Sequence, residues 1–484
     1  MAAHGLSKSR IIEGRQCPRR LWLKVYRPEV GEWETGTRNL LQAGLDVHEV
    51  FRGLHPGGVL IDTDDDLAAA LAETGRHLAG GAGTLFEATF AHQGVLVRAD
   101  FLERRSSRCR VHEVKSSTGV KDVHLDDAAI QHWVLAGCGL DLEATCVTHI
   151  DNRFVYQGNR DYHGLFADAD VSGQVAALLP EVPAWVEACR VILAGSEPAI
   201  PADVDCESPW ACPFAGYCFP AGPEVPFPIE TLPGSTAEVE RLKAAGFTSI
   251  RQVPRDLLRL GRHLRMWQAV HDGAAVVDPE LPRTLRDLPF PRFFLDFETI
   301  QFAVPIWVGT RPYEQLPFQF SCHVEWAGGR LEHREFLDLG GGSPLRPFAE
   351  RLLETLGTAG PIVTYGPFER RILRESGERF PDLQPALEAL KGRVVDLLSL
   401  LRRWYYHPAM AGSWSIKNVL PAIAPELRYE TLQEVRDGGA AQAAFLEAIH
   451  PGTAAPRRDA LRRHLLAYCA RDTLGLVTIV RHFA

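Results

Sequence analysis

The chain has 484 residues, 46% hydrophobic and 23% charged, with a formal net charge of −9 at pH 7. Those proportions exclude a disordered or fibrous chain and leave room for roughly two to four domains with cores of their own. The acidic total excludes a uniformly basic coat for nucleic acid, but not a local groove: "CPRRLWLK", "RLGRHLR" and "APRRDALRRH" supply positive charge in patches, or else are solvated helix faces.

In chain order, the first element is the polar, basic stretch "MAAHGLSKSRIIEGRQCPRR", which has no apolar h-region, and no run of about 18 apolar residues follows anywhere. A cytoplasmic protein without a membrane partner is expected. In a reducing compartment clustered cysteines read as metal or cluster ligands, and the scattered ones, Cys109, Cys138, Cys146, Cys189, Cys322 and Cys469, as small buried hydrophobes.

An amphipathic helix is expected over "AGLDVHEVF", carrying His48. Two alternating strands joined by a charged turn follow in "GVLVRADFLERRSSRCRVHEVKSS", with Asp100 late in the first and Glu113 and Lys115 on the second. Residues two apart on a strand share a face. Glu113 and Lys115 therefore converge with Asp100, giving hard oxygen ligands for Mg²⁺ or Mn²⁺ with a cation beside the attacking water. The helix "HLDDAAIQHWVLAG" then offers Gln131. Strand-borne carboxylate–lysine pairs are commonly surface salt bridges, and a lone helical His is commonly structural. As an ordered set, however, His48, Asp100, Glu113-x-Lys115 and Gln131 resemble the PD-(D/E)XK signature of RecB-like nucleases. Leu135 stands where that family often carries a DNA-contacting Tyr.

The segment "CESPWACPFAGYC" spaces Cys206, Cys212 and Cys218 evenly, with Cys17 of "GRQCPRRLW" as the fourth cysteine. Tetrathiolate zinc sites usually use closer Cys pairs; a larger cluster, zinc and unligated thiols are the three readings. The early-one, late-three arrangement is similar to that of iron–sulfur RecB-like nucleases, including the CRISPR spacer-acquisition nuclease. The resemblance implies a [4Fe-4S] cluster on these four residues that staples the domain ends.

The Pro/Gly-rich "CFPAGPEVPFPIETLPG" reads as a connection, with a boundary near 223–228. Residues 228–284 are expected to be short helices with Gly turns, either a helix-hairpin-helix-like module or a plain spacer.

From about residue 286 strands alternate with helices, which predicts an α/β domain with a mixed sheet. "FFLDFETI" ends a buried strand with Asp296 and Glu298 on one face, a like-charge pair for which a divalent cation is the natural explanation. "PIVTYGPFERRIL" presents Glu369, and "LLAYCARDTLGL" presents Tyr468 and Asp472 one helical turn apart. This order resembles the DEDDy subset of DnaQ-like exonucleases, whose fold is RNase H-like, with Glu369 where that family usually carries Asp. The resemblance implies two metals held by the four acids and a water oriented by Tyr468. Asp396 is either an auxiliary acid or a helix cap, and Lys417 in "GSWSIKNVLPAI" is a candidate phosphate contact.

"LSKSRIIEGRQCPRRLWL", "KSSTGVKDVHLDDAAIQHWVL", "FLDFETI" and "PYEQLPFQFSCHVEW" together resemble a bacterial family that fuses an iron–sulfur RecB-like nuclease to a DnaQ-like domain. The implied organisation is a nuclease domain at 1–222, the helical linker at 228–284 and an exonuclease domain at 286–484. The implied function is a two-site, metal-dependent nuclease acting on single-stranded or end-bearing DNA in repair, recombination or defence. RNA processing and a non-catalytic scaffold are the alternatives. With no GXXXXGK[ST] motif, unwinding would fall to a partner such as a helicase. Trp133, Trp404, Tyr405 and Tyr406 are either stacking platforms for unpaired bases or core residues.

Overall fold

The apolar alternation around residue 90 closes into an antiparallel hairpin, β3 (Thr84–His92) with β4 (Val95–Arg105), turned at Gln93 and Gly94, which take φ of 45° and 71°. Positive φ at both central residues is the two-residue turn whose twist matches that of the strands. The computed structural model to which this hairpin belongs describes residues 5–33, 47–63, 66–220, 225–234, 236–427 and 432–484. It is mixed α/β, 47% helix and 18% strand. Two compact units divide it: Met1–Gly222 with Phe302–Glu314, and Pro223–Gln301 with Gln315–Ala484.

In the first unit, β1 (Leu6–Ser7) leads directly into α1 (Lys8–Gln16), capped by the Ser7 hydroxyl, and then α2 (Pro18–Tyr26). Residues 47–53 form α3. After β2 (Val59–Leu60) and α4 (Leu67–Ala79) the chain runs through the hairpin to β5 (Arg108–Lys115), α5 (Asp122–Gly137) and β6 (Leu142–Ile150). β7 (Phe166–Asp170), α6 (Ser172–Leu178), α7 (Val182–Ala194) and α8 (Ala215–Cys218) complete it. The sheet order is β2-β3-β4-β5-β6-β7, with β1 added parallel to β4. β5 and β6 are parallel and joined through α5, as a parallel pair requires.

One feature of this sheet positions the site. β4 pairs with β5 from Phe101 to Arg105, and with β1 at Val95 and Leu96. Asp100 lies at the fork where one partner gives way to the other. Two cores flank the sheet: Ala88, Val97, Ala99 and Val111 pack with α5 residues such as Ile130 and Val134, while Phe51, Phe86 and Phe101 pack with Ala303 and Val304. Residues 302–314, which the sequence reading put in the C-terminal domain, thus belong with the first unit. Backbone bonds from Tyr156 N to Thr310 O (3.0 Å) and from Gly309 N to Tyr156 O (2.7 Å) fasten them.

The second unit begins with short helices: α9 (Thr236–Ala244), α10 (Gly261–Asp272), β8 (Val276–Val277) and α11 (Glu280–Arg286). The expected linker is therefore part of this unit; residues 221–224 lie outside the described residues. β9 (Arg292–Ile300), β10 (Leu316–Glu325), β11 (Leu331–Leu337), β12 (Ile362–Thr364) and β13 (Val394–Asp396) form a mixed sheet in the order β11-β10-β9-β12-β13. β9 runs antiparallel to β10 and parallel to β12. β10 is buried along its whole length, as befits a strand covered on both faces. The other elements are α12 (Leu345–Leu356), α13 (Phe368–Arg379), α14 (Gln384–Lys391), α15 (Leu397–Trp404), β14 (Tyr405–Tyr406), α16 (Ile416–Ile423), α17 (Gly438–Ile449) and the long α18 (Ala455–Phe483). Among the described residues no helix is long and apolar enough to cross a membrane.

Candidate functional site

At the fork of the first sheet, the Asp100 carboxylate accepts a 2.7 Å hydrogen bond from Val114 N, the donor that the β4–β5 ladder no longer uses. Opposite it stands Glu87, at φ 55°, where the strand slips phase: Phe86 and Ala88 sit in different cores although two apart. The slip turns the carboxyl of Glu87 toward Asp100, and His48 on α3 completes a group whose ligand atoms all lie within 4.8 Å of one another. His48 Nδ1 is 3.8 Å from Glu87 Oε1.

Glu113 sits beside this group, tied to two lysines. Lys8 and Lys115 each place Nζ 2.6 Å from one of its oxygens, and Lys115 also reaches Asp127 Oδ2 on α5 at 2.7 Å. Lys8 arrives because β1 ends at the fork and α1 begins with it. Burial works against the Glu113 carboxylate, but Lys115 and Lys8 hold it down at about 2. Burial and the Glu113 charge push Asp100 the other way, up to about 7. Lys115 is raised despite burial, by Glu113 and Asp127, so it stays an ammonium. Gln131 is fully buried on α5 and both polar atoms of its amide are without a hydrogen-bond partner. Leu135, one turn on, is core.

In the second unit, Asp296 and Glu298 on β9 meet Cys469 of α18 with ligand atoms within 4.8 Å. The Cys469 thiol, pushed well up by burial and the Asp296 charge, keeps its proton and donates to Asp296 Oδ2 at 3.5 Å. Burial, then Asp472 and Glu298, raise Asp296 well above the carboxylate range. Burial, then Asp472, raise Glu298 to about 8, with Lys417 opposing. Glu369, at the start of α13, goes to about 7 chiefly through burial, and its Oε2 is buried without a partner. Tyr468 is raised by burial and the acids around it, so its hydroxyl stays protonated. The four acids and Tyr468 thus act electrostatically on one another. Lys417 on α16 puts Nζ 5.9 Å from the Tyr468 ring and donates to Arg436 O at 3.0 Å. Gly475 lets α16 come that close: a Cβ there would lie 2.9 Å from Leu420 Cδ2.

The four cysteines of the first unit lie close enough to influence one another electrostatically. Cys17, Cys206, Cys212 and Cys218 are free thiols. Burial, then Cys212 and Cys17, raise Cys206; burial, then Cys212, Cys17 and Cys206, raise Cys218 against the pull of Arg19. A cation or cluster placed among them would reverse that shift and favour the thiolates. Cys212 N donates to Cys206 O at 2.7 Å, which folds the intervening loop back on itself.

The expectation for Cys138 needs correction, and open alternatives resolve at Tyr405, Tyr406 and Asp396. Cys138 is exposed rather than a buried hydrophobe. Cys469 is buried, but beside an acid cluster. Tyr405 and Tyr406 are 2% and 0% exposed and present no face to an unpaired base, while Trp133 is half-buried and packs on the first core against His92. Asp396 caps α15, accepting from Ser399 N at 3.2 Å. The sequence does not single out Glu87, Lys8 or Asp127, and it offers Cys469 only as a buried hydrophobe. Asp127 had a signal, one helical turn before Gln131; so had Cys469, three residues before Asp472. Lys8 and Glu87 depend on strand pairing.

Residues 293–415 match the family model described as a domain of unknown function (DUF2779). That segment holds Asp296, Glu298 and Glu369 and stops short of Tyr468 and Asp472. No curated protein matches the chain.

Proposed function

We propose that this chain is a metal-dependent nuclease with two active sites, a RecB-like PD-(D/E)XK centre in the first unit and a DnaQ-like DEDDy exonuclease centre, on an RNase H-like fold, in the second. The observation that carries the reading is the convergence of Asp296, Glu298, Glu369 and Asp472, buried and mutually repelling, since such a group costs stability unless a cation sits among it. Oxygen-rich donors of this kind suit Mg²⁺ or Mn²⁺, which when bound lower the pKa of water and offset phosphate charge. His48, Asp100 and Glu113 would hold the ion of the first site, with Glu87 as a further donor; Asp296, Glu298, Glu369 and Asp472 would hold those of the second. A [4Fe-4S] cluster on Cys17, Cys206, Cys212 and Cys218 is the proposed staple of the first unit.

The chain's own groups have definite parts in this reading. Lys115, permanently charged, stabilises negative charge on a phosphate and takes no proton. Gln131 offers an unmet amide to substrate or water. Tyr468 keeps its proton and orients water as a hydrogen-bond donor, while Lys417 supplies positive charge beside it. Single-stranded or end-bearing DNA is the proposed substrate, with repair or defence proteins as partners in the cytoplasm.

The test is cleavage of 5′- and 3′-labelled single-stranded DNA, beside matched RNA, with Mn²⁺. Glu113→Ala and Asp296→Ala should each abolish one product pattern and spare the other. Loss of all cleavage in either folded variant would contradict two independent sites. A folded, cluster-loaded wild type that cuts neither substrate would move the assignment to a scaffold.

A further inference from the structure

In the first unit, residues of β4, β5 and β7 with those of α3 and the turn after it line a cleft of about 310 Å³. That volume falls at the lower end of the roughly 300–1,000 Å³ typical of small-molecule sites. None of the residues assigned above to metal or cluster lines it. Its walls are Phe51, Phe101 and Phe166, with Phe51 edge-on to the other two rings (5.2 Å at 86° and 5.1 Å at 85°). Its base is polar: His112 and Arg110, two apart on β5, point into it with Asp168 of β7.

The hydrogen bonding fixes what the base offers. Asp168 Oδ1 accepts the Thr148 hydroxyl proton at 2.5 Å, so Thr148 Oγ1 has only lone pairs for His112 Nδ1, 3.0 Å away. His112 therefore donates through Nδ1–H, which also faces Asp168 Oδ1 at 3.5 Å, and Nε2 is the ring nitrogen left for the cleft. That Nε2 is buried and has no partner, in a residue only 4% exposed. The Nε–H of Arg110 is a buried donor, likewise without a partner. Leaving buried polar atoms unmet is costly, which argues that something meets them. At the rim, Arg105 is half-exposed and held by Glu103 Oε1 at 3.2 Å.

We propose that this cleft binds a nucleobase with its phosphate, as a site distinct from the two metal centres. A hydrocarbon would leave Arg110 Nε and His112 Nε2 unmet. An inorganic anion would meet the arginines and leave Phe166, the partly exposed ring of the wall, uncovered, while Phe51 and Phe101 are buried behind it. A base satisfies both, since it is flat and apolar on its faces and carries a donor and an acceptor on its edge. The phosphate then lies toward Arg105. The nucleotide is either free or one residue of a single strand, and the chemistry of recognition is the same.

The experiment is titration of the full-length protein, without added divalent metal, with the four deoxynucleoside 5′-monophosphates, a 5′-phosphorylated dodecathymidylate and inorganic phosphate. Binding of a mononucleotide or of the oligonucleotide is expected, weakened about tenfold or more in Arg110→Ala and in His112→Phe, which keeps an aromatic ring and removes Nε2. Arg153→Ala, which removes an exposed cation that does not line the cleft, should bind as wild type does. A mononucleotide that competes with the oligonucleotide marks the strand as the source; a mononucleotide that binds alone marks the free nucleotide. Arg105→Ala, on the exposed rim, serves if the buried variants fail to fold, and should weaken phosphorylated ligands more than nucleosides. Absence of binding by all nucleotides, inorganic phosphate binding as tightly as any of them, or affinity untouched by the substitutions would overturn the proposal.

Discussion

Glu113 is buried between two ammonium groups, and removing one leaves a charge that the other must hold alone. Lys8→Met should therefore destabilise the protein by something on the order of 3 kcal/mol, as for a broken buried ion pair, and should slow cleavage at the first site about tenfold by loosening Glu113. Chemical denaturation beside single-site assays measures both; unchanged stability would remove Lys8 from the site. Glu298 gives a prediction in pH. Its folded pKa, about 8, stands above the ordinary 4.5, so the folded form binds the proton more tightly. Its contribution to stability is fully present below about 4.5 and is lost as pH rises through about 8. In chelator the melting temperature should fall across that window, and Glu298→Gln should flatten the fall; equal slopes would count against the buried acid group. At this scale the sequence was informative where period two or one helical turn relates the residues, as for Asp296 with Glu298 and for Tyr468 with Asp472. It was silent on Lys8 and Glu87, which are brought to the site by pairing between distant strands.

Elements place these groups through irregularities more than through regular geometry. β4 changes partner at Asp100, and β3 slips phase at Glu87 in a left-handed backbone that a non-glycine residue adopts at a cost of about 1–2 kcal/mol. Plain alternation predicts neither, because it assumes that every second residue faces one core. Glu87→Gly should raise the stability of the metal-free protein by about 1 kcal/mol while weakening Mn²⁺ binding; Glu87→Gln should weaken Mn²⁺ binding without that gain. Thermal melts with and without Mn²⁺ distinguish the two. Asp396 ends β13 and caps α15, so Asp396→Ala should cost about 1 kcal/mol and leave the cleavage rate of the second site unchanged. A selective loss of cleavage would restore Asp396 as an auxiliary acid.

The whole molecule divides into two units, each with an acid cluster of its own and a core to hold it. The chain passes from one unit to the other within the Pro/Gly-rich stretch that follows Cys218. The return of residues 302–314 to the first unit left no mark in composition, because it rests on packing of Ala303 and Val304 against residues of α3 and β4. On the proposed cluster, Cys212→Ser should lower bound iron and the melting temperature of the first unit while leaving the Asp296 site competent, as iron content and calorimetry would show. The central claim is that two separate metal centres exist, and Mn²⁺ titration followed by electron paramagnetic resonance tests it most directly. Wild type should bind at both centres, Glu113→Ala should lose one population and Asp296→Ala the other, each keeping what its counterpart lacks. Equal Mn²⁺ binding in all three proteins, or loss of every bound ion in either variant, would contradict the account.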